Sequence, residues 1–156
     1  MPRGVVITAG LLAPYQIVLR AGYFGTGYTA GELAEYEAFL AGGGVLWLVS
    51  EHSSWGDALA ARLGVPMSGS HHGPAAHFAA HPITEGVTNH PYIAGGALSG
   101  PAADGVTVLG WLDEQRTLAI MGTKSLPKGK LFFLGDLNGL ELVPQPLVSN
   151  LLAWSR

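Results

Sequence analysis

The run Val45-Leu-Trp-Leu-Val49 contains no polar residue, and it passes directly into Ser50-Glu-His-Ser-Ser-Trp-Gly-Asp57. An apolar run of this kind needs cover on both faces, which marks an interior strand of a layered sheet. Trp55, Leu59 and Leu63 then recur at intervals of four, the spacing of one helical face. A strand running straight into a helix delivers Glu51, His52, Ser53 and Ser54 to the turn between them. In open α/β sheets, that turn at the strand's carboxyl end is where ligands bind.

The rest of the chain alternates in a similar way. Thr29-Ala-Gly-Glu32 has the pattern of a capping box, in which hydroxyl and carboxylate each satisfy an orphan donor at a helix start. The predicted helix carries Leu33, Tyr36 and Leu40 and stops at Gly42-Gly43-Gly44. Strands are predicted over residues 4–9 and 15–20, with a link between them too short for the helix of a parallel crossover. They form a hairpin, or the first pairs elsewhere, for example on a partner's sheet. Residues 66–105, rich in His, Pro, Gly and Ala, read as a long excursion with short strands or turns. Val106 to Leu112 and Thr117 to Met121 are predicted to pair antiparallel across Asp113-Glu-Gln-Arg116. Lys130 to Leu134 is a further buried strand, ending at Gly135-Asp136-Leu137-Asn138, and the chain closes with a helix bearing Leu147, Val148, Leu151, Leu152 and Trp154.

A length of 156 residues fits one domain spanning 1–156. The absence of cysteine removes disulfides, thiolate metal ligands and cysteine nucleophiles. Only 12% of residues are charged and 48% are hydrophobic, with a mean hydropathy of +0.30. So apolar a surface is expected to be covered in part by a homo-oligomeric contact. A net charge of −3, with eight scattered Lys and Arg, argues against a nucleic-acid or membrane partner. No stretch approaches the roughly 20 apolar residues of a membrane span, and Met1-Pro-Arg-Gly4 lacks signal-peptide character. A cytoplasmic location is the expectation.

Glu51 and Asp136 each follow a buried strand, a placement that demands solvation or a partner. If the strands are neighbours, the two carboxylates have the separation of a glycosidase pair, about 5 to 9.5 Å, one serving as general acid and the other as nucleophile or base. Ser53 with His52 is the serine-hydrolase alternative, although Glu51 and Trp55 would crowd its elbow. Ser54 with Asp57 has capping-box spacing, which reads as a helix start. His71, His72, His77 and His81 cluster, but the glycines and prolines around them oppose the helix that His-x3-His metal binding needs, so no metal or other cofactor is expected. Trp55, Tyr23, Tyr28, Asn138, His71 and His72 are the candidate substrate-binding residues, since flat rings beside carboxylates suit a sugar.

The Thr29-x-x-Glu32 helix, the triple glycine, the apolar strand, His81-Pro-Ile-Thr-Glu-Gly-Val87 and Gly129-Lys-Leu-Phe-Phe-Leu-Gly-Asp136 together resemble the class I glutamine amidotransferase-like superfamily, with ThuA-like and GldG-like domains the nearest in pattern. The resemblance covers residues 15 to 156. It implies an α/β, flavodoxin-like three-layer sandwich with a mostly parallel sheet and helices on both faces, here reduced at the N-terminus. It also implies a catalytic cysteine and histidine near positions 53 and 136. Ser53 and Asp136 stand there instead, so glutamine amidotransfer by the thiol route is excluded. The functional expectation is a domain that binds, or a hydrolase that cleaves, a small polar and carbohydrate-related molecule. The alternative is a non-catalytic protein-interaction module of the same fold.

Overall fold

The structure, a computed structural model, describes residues 6–21, 27–51, 57–138, 140 and 146–156. Among the described residues the elements are, in chain order, β1 (Ile17–Ala21), α1 (Ala30–Ala41), β2 (Val45–Val49), α2 (Ala58–Arg62), β3 (Met67–Ala75), β4 (His77–Phe78), a 3-10 turn (Pro82–Thr84), β5 (His90–Leu98), β6 (Val106–Trp111), β7 (Ala119–Ser125), β8 (Lys130–Leu134) and α3 (Leu147–Ser155). Six strands form one sheet in the order β1-β2-β8-β7-β6-β4, and β3 pairs with β5 in a separate two-stranded ribbon.

This topology corrects the flavodoxin-like expectation. Among the described strands, only β1, β2 and β8 run parallel. From β8 onward, β7, β6 and β4 join antiparallel, so the sheet is mixed, and strands outnumber helices among the described residues. The interior run Val45–Val49 is completely buried, as its composition requires. That property is local, and the short turns that fold β6, β7 and β8 back on one another decide the rest of the sheet. Crossover helices are unnecessary where hairpins suffice.

The sheet is nonetheless covered on both faces. Leu46, Leu48, Leu131 and Phe133 meet Tyr36, Phe39 and Leu40 of α1 and Leu59 of α2. The alternate residues Val45, Trp47, Val49, Phe132 and Leu134 pack with Ile120, Leu147, Leu151, Ile83 and Tyr92. Each such side chain stabilises the fold by roughly 1.5 to 3 kcal/mol. The Trp47 indole N–H is satisfied at 2.9 Å by Ser155 Oγ, which locks α3 to the sheet.

Helix starts follow the sequence in one case and depart from it in another. Thr29 and Glu32 form the expected reciprocal capping box on α1. On α2, Asp57 itself is the N-cap, accepting from the Leu59 and Ala60 amides; Ser54 lies outside the described residues. The predicted strand over residues 4–9 is not formed at 6–9, and 4 and 5 lie outside the described residues. Instead, buried Glu35 accepts the Gly10 amide at 2.8 Å and the Leu12 amide at 2.9 Å, holding a turn against α1. A carboxylate that takes two amides replaces the neighbouring strand those amides would otherwise need. The excursion after residue 66 resolves into the β3–β5 ribbon, and β6 and β7 form the predicted antiparallel pair.

Candidate functional site at the carboxyl ends of β2 and β8

Val49 lies opposite Leu134 in the parallel pair β2–β8, so the two strand tips stand side by side. Ser50 donates its amide to Leu134 O at 2.8 Å, extending the pairing by one step. Glu51 and Asp136 follow immediately, and the structure brings them to one amide. Asn138 Nδ2 donates to Asp136 Oδ1 at 3.0 Å and lies 3.5 Å from Glu51 Oε1. The two oxygens are therefore no farther apart than those distances laid end to end, within the span of glycosidase carboxylates.

Their environments differ. Asp136 is completely buried. Its Oδ1 also accepts the Asn138 main-chain amide at 2.9 Å, and its Oδ2 accepts the Ile93 amide at 2.5 Å. Asn138 returns to the same strand by donating to Ile93 O at 3.2 Å. Both polar groups of the Ile93 main chain are thus held by the turn after β8. Glu51 is half-buried, and its Oε2 accepts the Leu137 amide at 3.1 Å. Asp136 joins β5 to β8, while Glu51 joins β2 to the turn that follows β8.

The crossing of β5 over this turn explains the glycine that precedes Asp136. A Cβ on Gly135 would collide with Gly96 O and with the Tyr92 hydroxyl. Gly96 donates its amide to Gly135 O at 2.9 Å, and Tyr92 donates its hydroxyl to Gly96 O. Opposite β3, the register slips so that Ala94 becomes the extra residue of a bulge, at φ 61°. A left-handed alanine costs about 1 kcal/mol or more, and such strain persists only where surrounding bonds fix it. Here the bonds to Ile93 do so.

The other candidates are placed as follows. His71 and His72 lie on β3, paired with Gly95 and Ile93 and so one strand removed from Asp136. Tyr28 is braced on three sides: its hydroxyl donates to Asp57 at 3.3 Å, Tyr36 meets it edge-on, and the Arg20 guanidinium stacks 5.0 Å over the ring. Burial, followed by the Asp57 charge, pushes its phenol far above the ordinary tyrosine range. His52, Ser53, Trp55 and Tyr23 lie outside the described residues. His81 Nδ1 accepts the Ile83 amide and starts the 3-10 turn. Among the described residues, no three His, Cys, Asp or Glu side chains converge as metal ligands would.

Two residues were missed by sequence reasoning. His90 is fully buried, with no hydrogen-bond partner for either ring nitrogen among the described residues. Burial lowers its pKa to about 4, against the opposing pull of Asp136. Tyr92, whose ring centre is 6.4 Å away, has its phenol driven well up by burial and then by Asp136 and Glu51. Their segment, Asn89-His90-Pro91-Tyr92, carries no period that would have announced burial.

No family model and no curated protein matches the chain. Solved structures do. The mmIFT52 N-terminal domain is similar with a TM-score of 0.72 and 16% identity, over 97% of this chain and 81% of that one. The cytoplasmic protein STM3548 from Salmonella typhimurium is similar with a TM-score of 0.66 and 14% identity, over 92% and 72%. For the cytoplasmic protein STM1381 from Salmonella typhimurium LT2 the TM-score is 0.58 and the identity 16%, over 83% and 63%. At such identities the likeness is one of fold alone. No helix among the described residues is long and apolar enough to cross a membrane.

Proposed function

We propose that this chain is a non-catalytic protein-interaction module that pairs with a second copy of itself along the free edge of β1. The observation that carries the loss of catalysis is the engagement of Asp136, whose two oxygens face two main-chain amides and the Asn138 amide in a site closed to solvent. A nucleophile or general acid needs an oxygen that reaches a substrate. The hydrolase and sugar reading loses its second carboxylate, and Tyr28 is engaged as a brace.

The contact itself is supported at the sheet edge. β1 pairs with β2 on one side, and no described strand pairs with the other. Such an edge offers a row of amides and carbonyls to another strand. Leu19 is 52% exposed at its centre and Tyr15 58% exposed just before it. A two-fold axis beside the free edge of β1, perpendicular to the sheet, makes the new pair antiparallel and joins two six-stranded sheets into one. The sparse charge of the chain favours such cover. We place the module in the cytoplasm, where two of the structurally similar proteins are said to reside.

Light scattering coupled to gel filtration tests the pairing. The expected result is a dimer that Leu19→Lys converts to a folded monomer whose melting temperature no longer depends on concentration; a monomeric wild type at 100 μM or above, roughly the concentration at which weak pairing is visible, overturns it. Chromogenic glycosides and esters test the chemistry, and turnover that Glu51→Gln abolishes in a folded protein overturns the non-catalytic reading.

A further inference from the structure

At the end of the sheet remote from Asp136, the C-terminal ends of α1 and α2 and the turn between β7 and β8 line a half-open cavity of about 350 Å³. Leu40, Leu63, Leu126 and Pro127 give it apolar walls, and Glu37, Arg62, Lys124 and Lys128 stand around it. Its size lies at the low end of small-molecule pockets. Three of the chain's eight Lys and Arg residues meet here, in a protein of net charge −3.

These charges are not equivalent. Glu37 is matched by Arg62 in a two-pronged ion pair, with Oε1 to Nε at 2.7 Å and Oε2 to the guanidinium NH2 at 2.9 Å. Lys124 donates from Nζ to Leu63 O at 2.7 Å, closing the last turn of α2, and an ammonium has two further N–H groups to offer. Lys128 is exposed and has no ionic partner among the described residues. An incoming molecule therefore meets an apolar wall and two cations that no acid pairs among the described residues. A ligand with a hydrocarbon body and a single anionic head satisfies both, whereas a neutral one leaves the cations unmatched and a polyanion finds too little polar wall.

The geometry points to a binding site for a medium-chain alkyl carboxylate in this cavity, with Lys124 and Lys128 receiving the carboxylate and Leu40, Leu63 and Leu126 the chain. It is independent of β1 and of the Glu51 and Asp136 cluster.

Titrating octanoate into the ¹⁵N-labelled protein, followed by amide shifts and calorimetry, tests the site. The expected result is saturable binding with shifts centred on Leu63, Lys124 and Lys128. Lys128→Gln, an exposed change that leaves the fold intact, is expected to weaken binding about threefold to fivefold, as for a partly solvated ion pair. Lys128→Glu is expected to weaken it further, and octan-1-ol to bind more weakly than octanoate. The assignment is overturned by absence of saturation, by shifts centred elsewhere such as Glu51, by equal binding of octan-1-ol, or by unchanged affinity in both Lys128 variants.

Discussion

His90→Leu tests whether a buried imidazole without a hydrogen-bond partner among the described residues governs the acid limit of this fold. The unfolded chain takes up a proton near pH 6.5, the ordinary histidine value, while in the folded protein burial holds the group neutral down to about pH 4. Between those values the unfolded state binds more protons, so falling pH favours unfolding. The stabilising contribution is fully present above pH 6.5 and is lost progressively as the pH drops toward 4. At about 1.4 kcal/mol per pH unit, the loss reaches roughly 2.5 kcal/mol at pH 4.5. The groups facing the ring are Asp136, which pulls in the opposite sense, and the Tyr92 phenol, which stays neutral throughout. Leucine removes two unsatisfied nitrogens and the titration together. Urea unfolding at pH 7.5 is expected to place the variant within about 1 kcal/mol of wild type, because a partnerless polar group contributes no bond that leucine loses. At pH 4.5 the variant is expected to be the more stable by about 2 kcal/mol or more. Titrations of carboxylates remote from the ring are common to both proteins and cancel in the difference. Parallel stability curves from pH 7.5 to 4.5 would refute the reasoning.

Further expectations concern the carboxylates. Asp136→Ala strands the Ile93 and Asn138 amides in a closed site and is expected to lower urea stability by about 3 kcal/mol or more; a loss below 1 kcal/mol would show that the joint between β5 and β8 is dispensable. Glu35→Ala is expected to speed hydrogen exchange at Gly10 and Leu12 and to cost about 2 kcal/mol, with unchanged exchange rates counting against the tether. Asp113, bonded first by the Thr117 hydroxyl and then by the Thr117 and Leu118 amides, has its carboxyl lowered to about 2. Any stability it lends is present above the ordinary aspartate range and fades as the pH falls to about 2. Carbon-detected NMR titration of Thr117→Val is expected to move that midpoint upward.

Much of the local structure was legible in the sequence. Val45–Val49 announced a strand covered on both faces, and Thr29 with Glu32 announced a helix start, because each signal is complete within a few residues. The meeting of Glu51 and Asp136 was legible as a condition, that their strands be neighbours, which β2 and β8 satisfy. The sheet as a whole was not. A buried run such as Leu131–Leu134 is equally at home beside parallel and antiparallel neighbours, and β8 has one of each. Nor did the sequence reveal that Asp136 serves the backbone, because its decisive partner, Ile93, arrives from a distant segment with no period. Residues 6–9 were misread as a strand, and the turn that follows them at 10–12 is held by an acceptor, Glu35, that sits on the outwardly polar side of a helical pattern.

The position of β8 at the seam of the mixed sheet bears on the order in which the molecule assembles. The meander β6–β7–β8 closes through neighbours in sequence, whereas β2 must wait for Lys130 to meet Val45. Contacts of long sequence separation form late, because chain entropy opposes them until other contacts have shortened the loop. On a ribosome, the N-terminal half would emerge with the apolar strand β2 lacking its central mate. Its hydrophobic run is then the segment most in need of shelter until Lys130–Leu134 has been made.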